Sequence, residues 1–249
     1  MTDRIKSQWQ TEEVVATYLS GVRGAIPAAD LQLAVIEKIV RLWSKTPALI
    51  LDLGCGDGIL GRYLLDAFPA ARGVFADFSD PMLEAVRKKL SGSSRAVVVK
   101  TDYGEPDWVE SVRQQEPFDI VVSGFSIHHQ PDARKRTLYA EIFDLLRDGG
   151  IFLNLEHVAS RSPAGQWLFN EFFVDHLFAY HRRSDPETTR EAISVAYYNR
   201  PDKKENILAL VEDQCRWLEE IGFSDVDCFF RVFELALFGG RKNPLHSAG

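Results

Sequence analysis

Apolar positions in this chain recur with two different periods, and the two alternate. From Asp30 onward, Ile36, Ile39, Val40 and Trp43 fall at i, i+3, i+4 and i+7, one stripe of a helix that Asp30 is placed to cap. Pro47 breaks it. Residues 48–53 are then almost wholly apolar, as in a strand covered on both faces. The alternation continues with a helix over 58–68, a strand over 73–77, and a helix opened by Asp80-Pro81 that runs through Leu90. Strands follow at 96–99 and 118–123. A helix over 132–146 carries Leu138, Ile142, Leu145 and Leu146 on one stripe, Gly149-Gly150 ends it, and a fifth strand covers 151–155. Strands that alternate with helices predict an α/β fold built on a doubly wound parallel sheet.

The alternation stops between about 161 and 201. That stretch concentrates Trp167, Phe169, Phe172, Phe173, Phe178, Tyr180, Tyr197 and Tyr198, and reads as an inserted helical cap. A helix over 206–221, stopped by Gly222, leads to two strands within 225–238 that break near Val232. There is almost no room for a crossover helix between those two, so the last strand is expected to run antiparallel. The prediction is one domain with a seven-stranded, mostly parallel, Rossmann-like sheet. Residues 1–45 form N-terminal helices and a lid, 46–160 the core, 161–205 the cap, and 206–249 the C-terminal helix and strands.

Composition narrows the setting. At 45% hydrophobic and 26% charged residues, the chain of 249 residues has a globular mix and not a disordered one. No apolar run reaches the roughly 18 residues of a membrane span, and Met1-Thr2-Asp3-Arg4 is no secretion signal. Cys55, Cys215 and Cys228 have neither metal nor disulfide spacing, which suits a reducing cytoplasm. A net charge of -7 argues against nucleic acid as a direct partner. The expected partner is a small-molecule acceptor, with no membrane, and a homodimer is compatible with the sequence.

In an open parallel sheet the ligand sits beyond the carboxyl ends of the strands. The first end gives Asp52-Leu53-Gly54-Cys55-Gly56-Asp57-Gly58, three glycines at alternate positions, where backbone turns sharply and a ligand approaches closely. No Lys-Ser/Thr follows, so a phosphate cradle is a poor fit. The second end is Asp77, at a spacing where an acid commonly takes both ribose hydroxyls of an adenosine. The third is Asp102-Tyr103. Asp52, Asp57, Asp77 and Asp102 are expected to converge with no basic residue among them. Such a crevice repels a pyrophosphate and suits S-adenosylmethionine, whose net charge is positive.

These residues resemble the class I S-adenosylmethionine-dependent methyltransferases. The likeness runs from about Ile36 to Leu155 and includes Phe118-Asp119-Ile120-Val121-Val122-Ser123. It implies S-adenosylmethionine as cofactor, Asp52, Gly54, Cys55, Gly56 and Asp57 as its loop, Asp77 as the ribose acid and Asp102 as the adenine contact. Phe78, Met82, Tyr103, Ser123 and Phe125 are implied as neighbouring contacts, with Tyr18 and Arg23 closing over the donor as a lid. Outside the core, Arg23-Gly24-Ala25-Ile26-Pro27, the aromatic cap and the run from Phe229 to Lys242 are similar to the carboxy-S-adenosylmethionine synthases of tRNA modification, which convert the cofactor with prephenate and methylate nothing. Arg200 falls near the cap arginine that such enzymes use for the extra carboxylate. The loop Gly54-Cys55-Gly56-Asp57-Gly58 departs from the serine-containing loop of those synthases. A module that binds the cofactor without catalysis is the third reading.

The acceptor side is read from the next loops. Ser123 to His129 lacks the Asn/Asp-Pro-Pro-aromatic turn of enzymes that methylate exocyclic amines. His128, His129 and His157 are the candidate catalytic bases, since an imidazole titrates near working pH. Glu156, Arg200 and Tyr198 are candidate acceptor contacts, and Arg200 favours an acceptor with a carboxylate. Five of the six histidines lie between His128 and His181, but none are paired at helix-face spacing, so no metal is expected. Arg182-Arg183 and Lys203-Lys204 are read as solvated, and Cys55 as a small packing residue.

Overall fold

A computed structural model describes residues 8–17, 23–115 and 117–243. Seven strands form one sheet: β1 Leu49–Leu53, β2 Arg72–Asp77, β3 Ala96–Lys100, β4 Phe118–Gly124, β5 Leu146–His157, β6 Ser224–Val232 and β7 Leu235–Arg241, in the order β3-β2-β1-β4-β5-β7-β6. All neighbours up to β5 pair in parallel, while β7 pairs antiparallel with both β5 and β6. The order reverses at β1, so the crevice lies between the carboxyl ends of β1 and β4. The central strands are buried on both faces, which is why 48–53 reads as an almost wholly apolar run.

The helices are α1 Glu12–Thr17, α2 Ala29–Trp43, α3 Ile59–Ala67, α4 Asp80–Lys89, α5 Trp108–Arg113, α6 Asp132–Leu145, α7 Pro163–His181, α8 Arg190–Tyr198 and α9 Val211–Ile221. Helices α2, α3 and α4 bury Ile36, Val40, Leu60, Leu64 and Val86 on one face of the sheet. Helices α5, α6 and α9 bury Trp108, Leu138, Tyr139, Ile142 and Leu218 on the other. The cap, α7 and α8, has its own small core of Phe169, Phe173, Val174, Leu177 and Tyr197, closed by Ala25 and Leu235. No helix of the described residues is long and apolar enough to cross a membrane.

Several expectations need correction. Helix α2 is entered through Ala28 in left-handed conformation (φ 57°), and Asp30 sits in the first turn without capping. Ser79, not Asp80, caps α4, its hydroxyl accepting from Met82 N. Gly149-Gly150 do not end α6. Helix gives way to strand directly at Leu146, and both glycines lie inside β5. Residues 206–210 belong to no helix or strand, so α9 starts five residues later than predicted. The short α5 was not predicted, since six residues carry too little periodic signal.

Gly222 does end α9, at φ 117°. A Cβ there would meet Phe143 only at ordinary contact distance. Gly222→Ala therefore acts through backbone strain alone, about 1–2 kcal/mol. Thermal melting should fall by a few degrees, at roughly 2–4 °C per kcal/mol for a chain of this size. An unchanged melting temperature would contradict the strain.

Candidate active site

Two adjoining cavities open at the carboxyl edge. The larger, about 540 Å³, is floored by the loop after β1 and walled by Asp77, Met82, Asp102, Tyr103 and Ser126. The smaller, about 320 Å³, lies under the cap between Phe169, Phe173, Tyr197, Leu235 and the three histidines His128, His129 and His157. Trp9, Phe125 and His129 belong to both walls.

The loop is held by its own geometry. Gly54 and Gly56 take φ 64° and 53°, which L side chains rarely adopt. A Cβ on Gly54 would stand 2.0 Å from Ser126 Oγ, whose partner at 2.5 Å is the Tyr103 hydroxyl. Asp77 accepts from Gly56 N and Ser79 N, both at 2.8 Å, one on each carboxylate oxygen. It thereby ties the glycine loop to the end of β2, with lone pairs left for a ligand. Burial pushes its pKa up, against the pull of those amides.

Of the four aspartates expected to converge, Asp77 and Asp102 line the cavity. Asp52 instead accepts from Gly61 N at 2.8 Å in the first turn of α3. Asp57 pairs with Lys89 and, at 4.0 Å, with Arg62. The rim also holds Lys204, which the sequence reading took as solvated, together with Glu205. The cavity stays acidic in balance. Gly54, Cys55, Gly56, Phe78, Met82, Tyr103 and Phe125 all line it. Ser123 does not: its hydroxyl donates to Leu53 O at 2.8 Å, bracing β4 on β1. Tyr18 lies outside the described residues, as does the side chain of Arg23. Cys55 is buried, and burial together with Asp77, Asp52 and Asp57 raises its pKa well above that of a free thiol, so it is no nucleophile.

At the smaller cavity, Glu156 stands behind the wall and not on it. It accepts from the amides of His128 (3.0 Å) and His157 (2.9 Å), and lies 2.5 Å from His128 Nδ1. Burial raises its pKa to about 7. Burial, with His157 nearby, holds His128 far below the usual imidazole range. His129 is pushed down to about 3, by burial and then by His128. Its Nδ1 lies 3.2 Å from the Glu205 carbonyl and must be the donor, leaving Nε2 with the lone pair. Arg200 lines the cavity, with its guanidinium 5.1 Å from the centre of the Tyr197 ring. Its buried Nε lies 3.4 Å from Asp202 Oδ1 yet has no hydrogen-bond partner among the described residues. Tyr198 points elsewhere, its hydroxyl on Glu171 at 2.9 Å, and Tyr197 takes the wall position. Lys203 is not simply solvated, since its ammonium sits over the rings of Tyr197 and Tyr198 at 4.5 and 4.7 Å. No group of three or more His, Cys, Asp and Glu arranged for a metal occurs among the described residues.

The sequence reading missed Trp9, Ser126, Glu205 and Glu234, and read Lys204 as solvated where it lines the larger cavity. Trp9 is placed by Ser79, whose hydroxyl donates to its carbonyl at 2.6 Å, a contact across 70 positions that no local pattern signals. Glu234 did leave a signal, an acid flanked by Val232-Phe233 and Leu235 in a strand-forming run.

Residues 51–152 match the family model described as a methyltransferase domain. A demethylmenaquinone methyltransferase of Leptospira interrogans is 29% identical over 197 residues, which span 78% of this chain and 75% of that protein. A carboxy-S-adenosyl-L-methionine synthase of Aeromonas hydrophila is 24% identical over 229 residues, 89% of this chain and 85% of that one. Among solved structures, human N-acetylserotonin methyltransferase in complex with SAM superposes with a TM-score of 0.60 at 14% identity. That match covers 95% of this chain but 58% of the human chain, and speaks to the fold alone.

Proposed function

We propose that this chain, which carries a methyltransferase domain over residues 51–152 on a Rossmann-like sheet, is a class I S-adenosylmethionine-dependent methyltransferase that methylates a small, mostly apolar acceptor bearing a carboxylate. One observation carries this: the glycine-loop cavity and the capped cavity share the wall of Trp9, Phe125 and His129. A donor in the first and an acceptor in the second would meet across those side chains.

The residues fit an adenosyl sulfonium. Gly54 leaves no room for a side chain, Asp77 and Asp102 supply acceptors and negative charge, and about 540 Å³ is ample for a nucleoside. When bound, the sulfonium supplies an electrophilic methyl: the acceptor's lone pair bonds to its carbon while the sulfur–carbon pair returns to sulfur, and the acceptor sheds one proton. The chain's own part is alignment and exclusion of water, and alignment alone is worth roughly 7–11 kcal/mol. Phe169, Phe173, Tyr197 and Leu235 dry the acceptor. Arg200, with an unsatisfied Nε at that wall, offers the charge-assisted bond for a carboxylate.

A second reading, a carboxy-S-adenosylmethionine synthase, is supported by the Aeromonas relative's coverage of 89% of this chain. Mass spectrometry of cofactor recovered with the protein separates the two, because an added carboxyl group changes its mass.

The main reading is tested by following S-adenosylhomocysteine release over a panel of phenols, amines and carboxylic acids. Turnover should be confined to acceptors with a carboxylate. Arg200→Leu should raise their KM about 10–100-fold, the loss of one charge-assisted bond, with S-adenosylmethionine affinity unchanged. Equal turnover of uncharged acceptors by both proteins would overturn the carboxylate assignment. No turnover with any acceptor would favour a binding module.

A further inference from the structure

Three imidazoles line the capped cavity, and two of them are committed elsewhere. His128 is tied through Nδ1 to buried Glu156 and through its ring to the Asn206 side chain. His129 donates to the Glu205 carbonyl and is held neutral far into acid, so it is a weak proton acceptor. His157 differs. Its Nε2 lies 2.9 Å from Glu234 Oε2, and its Nδ1 has no hydrogen bond among the described residues.

Glu234 is unusual for an acid. It is 1% exposed, and its second oxygen, Oε1, has no hydrogen-bond partner among the described residues. The β6–β7 turn puts it there. Phe233 takes φ 51°, a strained left-handed conformation, and the Glu234 carbonyl accepts from Val158 N at 2.8 Å, one residue beyond His157. A strained turn that buries a half-satisfied carboxylate costs stability, and such arrangements cluster at functional sites. A carboxylate only accepts, so Nε2 carries the ring proton and Nδ1 holds the lone pair.

We propose that Glu234 is a positioning residue, which fixes His157 as the Nε2–H tautomer so that Nδ1 takes the proton shed by the acceptor. This rests on the methyl-transfer reading. The acceptor's attacking atom gives its electron pair to the methyl carbon as the carbon–sulfur pair returns to sulfur, and the proton it sheds goes to Nδ1 and then to water. Glu234 offsets the positive charge on the ring meanwhile, and no further co-reactant is needed.

The test is nitrogen NMR of the full chain labelled with ¹⁵N, with the His157 ring assigned by its loss in His157→Gln. The wild-type ring should show one fixed form, protonated at Nε2. In Glu234→Ala the two nitrogen shifts should move toward each other as tautomers mix, and Glu234→Asp should restore part of the separation. With the acceptor found in the panel, Glu234→Ala should lower kcat at least about 100-fold and leave S-adenosylmethionine affinity unchanged. His157→Gln should lose as much, and the double variant no more. If Glu234→Ala fails to fold, Glu234→Gln keeps the shape without the charge and should lose kcat likewise. A wild-type ring protonated at Nδ1, or a Glu234→Gln enzyme with unaltered spectrum and kcat, would overturn the proposal. Wild-type protein that releases no S-adenosylhomocysteine would remove the methyl-transfer reading instead, while the His157 spectrum would still decide whether Glu234 sets the tautomer.

Discussion

Asp77→Ala is expected to weaken S-adenosylmethionine binding by about 100- to 10,000-fold while the protein stays folded. The carboxylate has two tasks. It accepts from Gly56 N and Ser79 N, which fixes the floor of the larger cavity, and it presents its remaining lone pairs to whatever lies there. A hydrogen bond to a charged group contributes about 1.5–3 kcal/mol, so two lost bonds to a ligand amount to roughly 3–6 kcal/mol. Asp77→Asn should fall between, since its amide keeps one acceptor oxygen and drops the charge. Calorimetry with S-adenosylmethionine and S-adenosylhomocysteine reads both variants, and far-UV circular dichroism checks the fold. Affinity within a factor of three of wild type in Asp77→Ala would remove this residue from the binding site.

Asp77 was legible in the sequence because its setting is local. It ends a strand and follows the glycine loop at a fixed interval, and strand ends in a parallel sheet face one edge. The same logic located Asp102 and the run from Gly54 to Gly56. It overreached at Asp52 and Asp57, which share that neighbourhood in sequence but turn to Gly61 N and Lys89. Spacing gives the loop, and only the path of α3 and α4 decides which carboxylates remain for a ligand. Helix starts show a smaller version of the same limit. Ser79 and Asp80 are equally good capping types, and backbone angles chose between them.

What stayed illegible is built from distant segments. Arg200 and Tyr198 were both candidates, and a turn of 100° per residue along α8 put Tyr197 on the cavity wall and Tyr198 on Glu171. Lys135 is 1% exposed in the first turn of α6, where a charged residue normally faces solvent. Its ammonium binds Asp132 at 2.8 Å and the Ile207 carbonyl, and Ile207 N in turn donates to His128 O at 2.8 Å. A buried lysine thus pins the 206–210 segment against the histidine loop, which explains why that segment is not the start of α9.

That buried cluster sets the last prediction, a loss of stability in mild acid traceable to single residues. His128 and His129 stay neutral in the folded protein well below their ordinary 6.5, so only the unfolded chain takes up their protons as pH falls. Each contributes stability that is present above 6.5 and lost below it, about 1.4 kcal/mol per pH unit. Glu156 has the opposite sign. Its pKa is raised from 4.5 to about 7, so the folded state binds its proton first and gains stability as pH falls from 7 to 4.5. Between pH 6.5 and 4.5 two histidines act against one glutamate, leaving a net loss of about 1.4 kcal/mol per unit. His129→Gln removes one of the two, and its stability between pH 6.5 and 5 should be nearly flat. Urea titrations of both proteins at pH 7, 6 and 5 measure this. Parallel slopes for wild type and His129→Gln would mean that His129 is protonated in the folded protein, and that the wall between the two cavities carries a positive charge instead of a neutral ring.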